Sequence, residues 1–237
     1  MIDLLPKIEE WLAQGEDVAL ATVIRVAGSA PRPVGARMII SSAGRMAGSV
    51  SGGCVETTVY EEMMDVLEGG APRKLHFGIT DDMIWDVGLA CGGTIDVFVH
   101  KLDPDLVATF RDQVAQGKAV ALATVVAGEQ GLGDTSLITA HDVVLGSPGN
   151  EIVAIAREML AARATRGSAL KIPLSTHDQA SQVTREIEVY VEPFLPPPIL
   201  VIIGGVHGAI PLTRFAKELG FTVIVADPRA KFANRER

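Results

Sequence analysis

One strand-like stretch is written twice in this chain, and nothing else constrains its fold as much. Val18-Ala19-Leu20-Ala21-Thr22-Val23-Ile24 recurs as Val120-Ala121-Leu122-Ala123-Thr124-Val125-Val126, each copy following a Gln-Gly step, Gln14-Gly15 and Gln116-Gly117. Those steps close amphipathic helical patterns, about Leu4 to Ala13 and Leu106 to Ala115, because glycine suits the left-handed position after a helix. A hairpin pattern comes next in both copies, Met38-Ile39-Ile40 to Gly48-Ser49 and Leu137-Ile138-Thr139 to Gly146-Ser147. A second helix is expected at about Val55 to Leu67 and at Glu151 to Arg163. Each copy ends on a period-two strand, Thr94 to Val99 and Glu186 to Val191. The pattern predicts an internal duplication, with residues 1–103 and 104–195 as two α+β halves of one domain, 1–195.

The differences between the halves are more informative about function than their likeness. Residues that the fold requires recur, so residues present in one half only are candidates for a site. The chain has two cysteines, and both lie in the first half beside paired glycines: Ser51-Gly52-Gly53-Cys54-Val55-Glu56 and Ala90-Cys91-Gly92-Gly93-Thr94. Where the first half has Gly48 to Cys54, the second has only Gly146-Ser147-Pro148-Gly149-Asn150. The loop Gly28-Ser29-Ala30-Pro31-Arg32-Pro33-Val34-Gly35 is likewise replaced by the shorter Gly128 to Gly133. Glycines let the backbone come close to a bound group, and a helix opening near Cys54 offers Ser51, Gly52 and Gly53 amides to an anion such as a phosphate. A thiol supplies a soft ligand or nucleophile, and Arg32 a guanidinium fork for an anion. The same residues also suit a plain turn, a buried packing cysteine and a solvated arginine, and both readings stand at this point.

Pro196-Pro197-Pro198 reads as a stiff linker before a further unit at 199–237. There Leu200-Val201-Ile202-Ile203 has the apolar continuity of a strand buried on both faces, followed by a glycine turn, a helix at about Ala209 to Leu219 and a strand at Thr222 to Asp227. This is the opening βαβ of a Rossmann-type domain, expected to pack on another chain, to continue on a separate polypeptide or to be truncated. Gly204 and Ala209 fit the dinucleotide fingerprint, and Asp227 stands where a ribose-binding acid would. Val206 occupies the place of the middle glycine, so NAD(P) is not expected.

With 29 acidic and 21 basic residues the net charge is −8, and no basic run marks a nucleic-acid surface. No apolar stretch is long enough to cross a bilayer, and the start lacks a signal-peptide layout, so no membrane partner and a cytoplasmic location are expected. The five histidines lack zinc-ligand spacing.

Taken together, Gly28 to Met38, Gly48 to Glu56 and Gly88 to Thr94 resemble the XdhC/CoxI family of accessory proteins for molybdenum hydroxylases. The likeness extends through Gly204-Gly205-Val206-His207 and Asp227 to Ala233. The resemblance implies an α/β chain that binds molybdenum cofactor as cargo, assists its sulfuration and delivers it to a xanthine dehydrogenase-like apo-enzyme, without turnover of its own. It implies a homodimer and a cysteine desulfurase-type sulfur donor. Arg32, Ser51, Gly52, Gly53, Cys54, Cys91, Gly92, Gly93, Gly204, His207 and Asp227 would contact the cargo, with Cys54 and Cys91 at the metal. The rivals are an NAD(P)-dependent oxidoreductase using the C-terminal turn and a structural module for docking onto a hydroxylase.

Overall fold

The computed structural model describes residues 1–78, 92–174, 185–229 and Phe232. Cys91, with residues 79–90, lies outside the described residues, as do Ala230, Lys231 and Ala233. Contacts divide the chain into two compact units, Met1–Leu195 and Pro196–Arg237.

In the first unit the chain opens with α1 (Leu5–Ala13), whose Leu5, Ile8 and Trp11 fall on one buried face. It then runs through β1 (Val18–Ala27), β2 (Arg37–Ser41), β3 (Met46–Gly48), α2 (Glu56–Leu67), β4 (Arg73–Phe77) and β5 (Thr94–Lys101). The same order follows as α3 (Pro104–Ala115), β6 (Val120–Ala127), β7 (Thr135–Thr139), β8 (Val143–Leu145), α4 (Asn150–Ala161), β9 (Ser168–Leu174) and β10 (Arg185–Phe194). The two five-stranded sheets have one topology, β3-β2-β1-β5-β4 and β8-β7-β6-β10-β9, with antiparallel neighbours throughout. Even the irregularities repeat. The β1–β5 register slips between Val23 and Arg25, and the β6–β10 pairing skips Val126, the residue that answers Ile24.

Alternation along β1 sorts its side chains onto two faces. Ala19, Ala21 and Val23 meet Val59, Met63 and Val66 of α2, and Ala121 and Ala123 meet Ile152, Ala156 and Leu160 of α4. The opposite faces turn to each other: Ile24 and Phe98 pack with Val126 and Tyr190, while Leu20, Ile39, Leu122 and Leu137 join α1 and α3 in one core. Small alanines under each helix and larger residues between the sheets give close packing on both sides.

Charge is buried between the sheets as well. Arg37 pairs with Glu192, their side chains 8% and 12% exposed, and Glu188 takes both Arg25 and Lys74. The period-two pattern of Glu186 to Val191 sets the glutamates against the core face; Glu188 instead faces the first sheet, 5% exposed. Arg37 and Glu192 border a cavity of about 30 Å³ lined also by Thr22, His100, Thr124 and Tyr190. Burial, helped by Arg37, lowers His100 to about 4 and burial raises Tyr190 to about 12, so both stay neutral.

The second unit is β11 (Ile199–Ile203), α5 (Ala209–Glu218) and β12 (Thr222–Ala226). β11 and β12 pair in parallel, the βαβ arrangement that the sequence indicates. β11 differs from expectation in its burial. Ile199, Val201 and Ile203 are exposed, because among the described residues the helix of this unit covers one face of the strand pair only. No described helix is long and apolar enough to cross a membrane.

Candidate functional site

Three of the segments that distinguish the first half come together at one end of its sheet. The loop 28–35 leaves β1 through Gly28, at φ +73°, and a Cβ there would meet the Cα of Gly93 at 3.3 Å. Gly93 is the tighter partner: a Cβ on it would lie 2.1 Å from the Ser29 carbonyl oxygen and 2.9 Å from that of Ala27. Further along the loop, a Cβ on Gly52 would touch Pro31 at 3.8 Å. The glycine pair that follows Cys91 in sequence and the glycine pair that precedes Cys54 therefore both meet one loop, with Arg32 exposed on it. Arg32 has no hydrogen bond or ion pair among the described residues.

The turn between β3 and α2 is built around Glu56, a residue to which sequence pattern assigns no role. α2 starts at Glu56 with Val55 as its cap, two residues beyond Cys54. The Glu56 side chain folds back over the preceding turn. Its Oε1 accepts from the amides of Val50, Ser51 and Gly52 at 3.2, 2.8 and 2.9 Å and from Ser49 Oγ at 2.6 Å. Its Oε2 accepts from the Gly53 amide at 2.8 Å and from the Ser51 hydroxyl. The amides expected to be open to a phosphate are thus donated to a carboxylate of the chain itself. Gly52 and Gly53 reach this geometry at φ +77° and +118°, which side chains rarely adopt. Burial works against the Glu56 charge, yet the two hydroxyls and the amides of Ser51 and Gly53 hold its carboxyl at about 2. Serines two residues apart ahead of an acid in the first helical turn are the available sequence signal, a longer relative of the capping box.

Cys54 itself is a free thiol, partly buried, resting against the cluster under α2. Among the described residues no three His, Cys, Asp or Glu side chains are grouped to hold a metal ion.

The second half shows what the fold does without these residues. Matching Val59 with Ile152 and Met63 with Ala156 on the buried helix faces puts Gly149 where Glu56 stands. That glycine caps α4 with no side-chain hydrogen bond. In the first half Val50, Ser51 and Val55 are buried; the second half has no such residues, and a cavity of about 580 Å³ opens beside Gly146, Ser147, Gly149 and Ile152.

In the second unit Gly204 has φ +106° and His207 is exposed. The Asp227 carboxylate accepts from the Gly205 amide at 2.9 Å and from the Arg229 amide and guanidinium at 2.9 and 3.0 Å. Arg229 and these hydrogen bonds hold its carboxyl far below the usual range. This acid, the ribose candidate, is engaged by its own turn.

Comparison with known proteins follows the same residues. The model of the XdhC and CoxI family matches residues 11–78. The chain is 26% identical over 230 residues to a Bacillus subtilis (strain 168) protein named as a probable xanthine dehydrogenase subunit, covering 95% of this chain and 64% of that protein. It is 38% identical over 94 residues to the molybdenum cofactor insertion chaperone PaoD of Escherichia coli (strain K12), covering 39% of this chain and 29% of that protein. A solved structure of a xanthine dehydrogenase from Bacillus halodurans shares the fold, with a TM-score of 0.61 at 24% identity over 98% of this chain and 64% of that chain. The chain thus spans less than two thirds of the length of these relatives. The matched segment, which is similar to the XdhC and CoxI family, holds β1, the loop 28–35, the Glu56-bound turn, Cys54 and α2.

Proposed function

We propose that this chain binds molybdenum cofactor as cargo and delivers it to a molybdenum hydroxylase apo-enzyme, acting as an insertion chaperone and not as a catalyst. The observation that carries the reading is the convergence of the Cys54 turn, the Arg32 loop and Gly92-Gly93 on one end of the first sheet. The names of the Bacillus subtilis and Escherichia coli relatives support it. A molybdenum centre and its sulfur are soft and suit a thiolate, so Cys54 would contact the metal or its terminal sulfur, with Cys91 as a second thiol ahead of Gly92. The cofactor's phosphate would go to Arg32, since Glu56 occupies the amides of the glycine turn. Gly52, Gly53 and Gly92, all exposed, leave the backbone bare for a flat pterin to lie against, while the buried Gly93 holds the loop 28–35 beside them. Sulfuration of the cargo by a cysteine desulfurase-type donor before transfer, and a homodimeric carrier, complete the proposal.

The test is cargo retention. The chain is purified from a molybdenum-replete host, and metal content and the fluorescence of the oxidised pterin are measured for the wild type, Cys54→Ala and Arg32→Ala. Both variants should lose at least about tenfold in retention while folding normally. Equal retention of metal and pterin by Cys54→Ala overturns the thiol's role.

A further inference from the structure

We propose that Glu56 is the positioning residue of this site: it gathers the turn 49–54 onto one carboxylate and so sets where Cys54 is presented to the cargo. The inference rests on the reading that Cys54 meets the cargo. Its geometry does not. Four consecutive amides, from Val50 to Gly53, and two hydroxyls, of Ser49 and Ser51, converge on the two oxygens of this side chain. The hydroxyls are then tied in turn: Ser49 Oγ accepts from the Gly52 amide at 2.9 Å, and Ser51 Oγ from the Val55 amide at 3.0 Å.

Without the carboxylate Gly52 keeps its bond to Ser49 Oγ, but among the described residues no other group accepts from the amides of Val50, Ser51 and Gly53. Gly52 and Gly53 carry the largest backbone freedom of any residues, and each is exposed. A Cβ on Gly53 would meet nothing within 4 Å, so packing does not fix that peptide. The restraint on the residue before Cys54 is therefore the hydrogen bond from its own amide to Glu56 Oε2. The second half supplies the control. It has neither the extended turn nor the thiol, and at the place of the acid it has Gly149. Acid, turn and thiol are present together in one half and absent together from the other.

The test uses the full chain carrying Cys91→Ala, which leaves Cys54 as its single thiol. Three quantities are read in Glu56→Gln and in Ser49→Ala: the rate at which iodoacetamide alkylates Cys54, hydrogen exchange at the amides of residues 50–53, and thermal unfolding. Glu56→Gln should speed alkylation and local exchange about tenfold each, with exchange at Val59 and Met63 in α2 unchanged. Ser49→Ala removes one of the donors and should move both readouts in the same direction by less, and it decides the matter if Glu56→Gln does not fold. Folded variants with unchanged alkylation and unchanged exchange at 50–53 overturn the inference, as does faster exchange spread evenly over the chain, which marks a loss of stability alone. Cargo retention separates the two proposals. If Cys54→Ala keeps its cargo, the functional reading fails while the alkylation result stands by itself. If Cys54→Ala loses cargo and Glu56→Gln, with its turn loosened, keeps it, the positioning role fails.

Discussion

Gly93 has no room for a methyl group, because the carbonyl oxygens of Ser29 and Ala27 stand where it would go. Both are backbone atoms at the start of the loop 28–35, so they yield only if the loop moves. Gly93→Ala should therefore cost about 3 kcal/mol of stability, read from the urea midpoint, and should weaken cargo retention through a loop displaced from Gly52. A full-stability Gly93→Ala would contradict that packing. His100 gives a pH signature. Burial and then Arg37 lower it from 6.5 to about 4, so between those values the unfolded chain binds the extra proton and stability falls as pH falls across the window. Glu56 acts in the same sense lower down: its contribution is complete above its ordinary 4.5 and is lost as pH falls towards 2. Urea unfolding at several pH values should show a slope between pH 6.5 and 4.5 that His100→Gln flattens; the same slope in the variant would exclude His100 as its source. The cysteines, the glycine pairs and Arg32 are legible in the sequence because one half has them and the other does not. Glu56 is hidden because an acid at the start of a helix is ordinary, and only the fold shows its side chain turned backwards onto the amides.

At the scale of elements, α2 holds the candidate site by a narrow apolar stripe of Val59, Met63 and Val66 pressed on the alanines of β1. Met63 is completely buried. Met63→Ala should cost about 2–5 kcal/mol in unfolding experiments, since rigid strands beneath it cannot collapse into the space. A loss under about 1 kcal/mol would mean that the helix rides loosely on its sheet. The repeated strand, both hairpins and the five described helices can be read from hydrophobic period and glycine placement. β4 and β9 cannot. Arg73-Lys74-Leu75-His76-Phe77 is an edge strand with charged and half-exposed residues, and Ser168 to Leu174 contains Lys171 and Pro173, so in each the apolar alternation is short and interleaved with charge or proline, too weak a signal to mark a strand by itself. Charge and proline on an edge protect it from pairing with other chains, and the same features hide it in a sequence. β11 misleads in the opposite way: an unbroken apolar run suggests burial on both faces, but periodicity cannot tell which neighbours cover a strand.

The two sheets of the first unit are joined by packing, by the α1–α3 core and by ion pairs that cross between them. Arg37 and Glu192 form the pair in which both members are buried. Removing one leaves a charge in an apolar space, so Glu192→Leu should destabilise the unit by about 3–5 kcal/mol, whereas Arg37→Met with Glu192→Leu should recover most of that loss. Additive losses in the double variant would show that the pair is not coupled. The duplication can be seen from a few repeated letters, whereas this crossing network cannot, since repeated letters do not show how the two sheets face each other and so which of Arg25, Arg37, Lys74, Glu188 and Glu192 meet. One property of the topology reaches further. Neither sheet takes a strand from the other, and the halves are connected by the short passage from Lys101 to Pro104. A cut there would sever no hydrogen-bonded ladder, so the two pieces made separately are natural complementing fragments, able to signal by their reunion when two proteins fused to them meet.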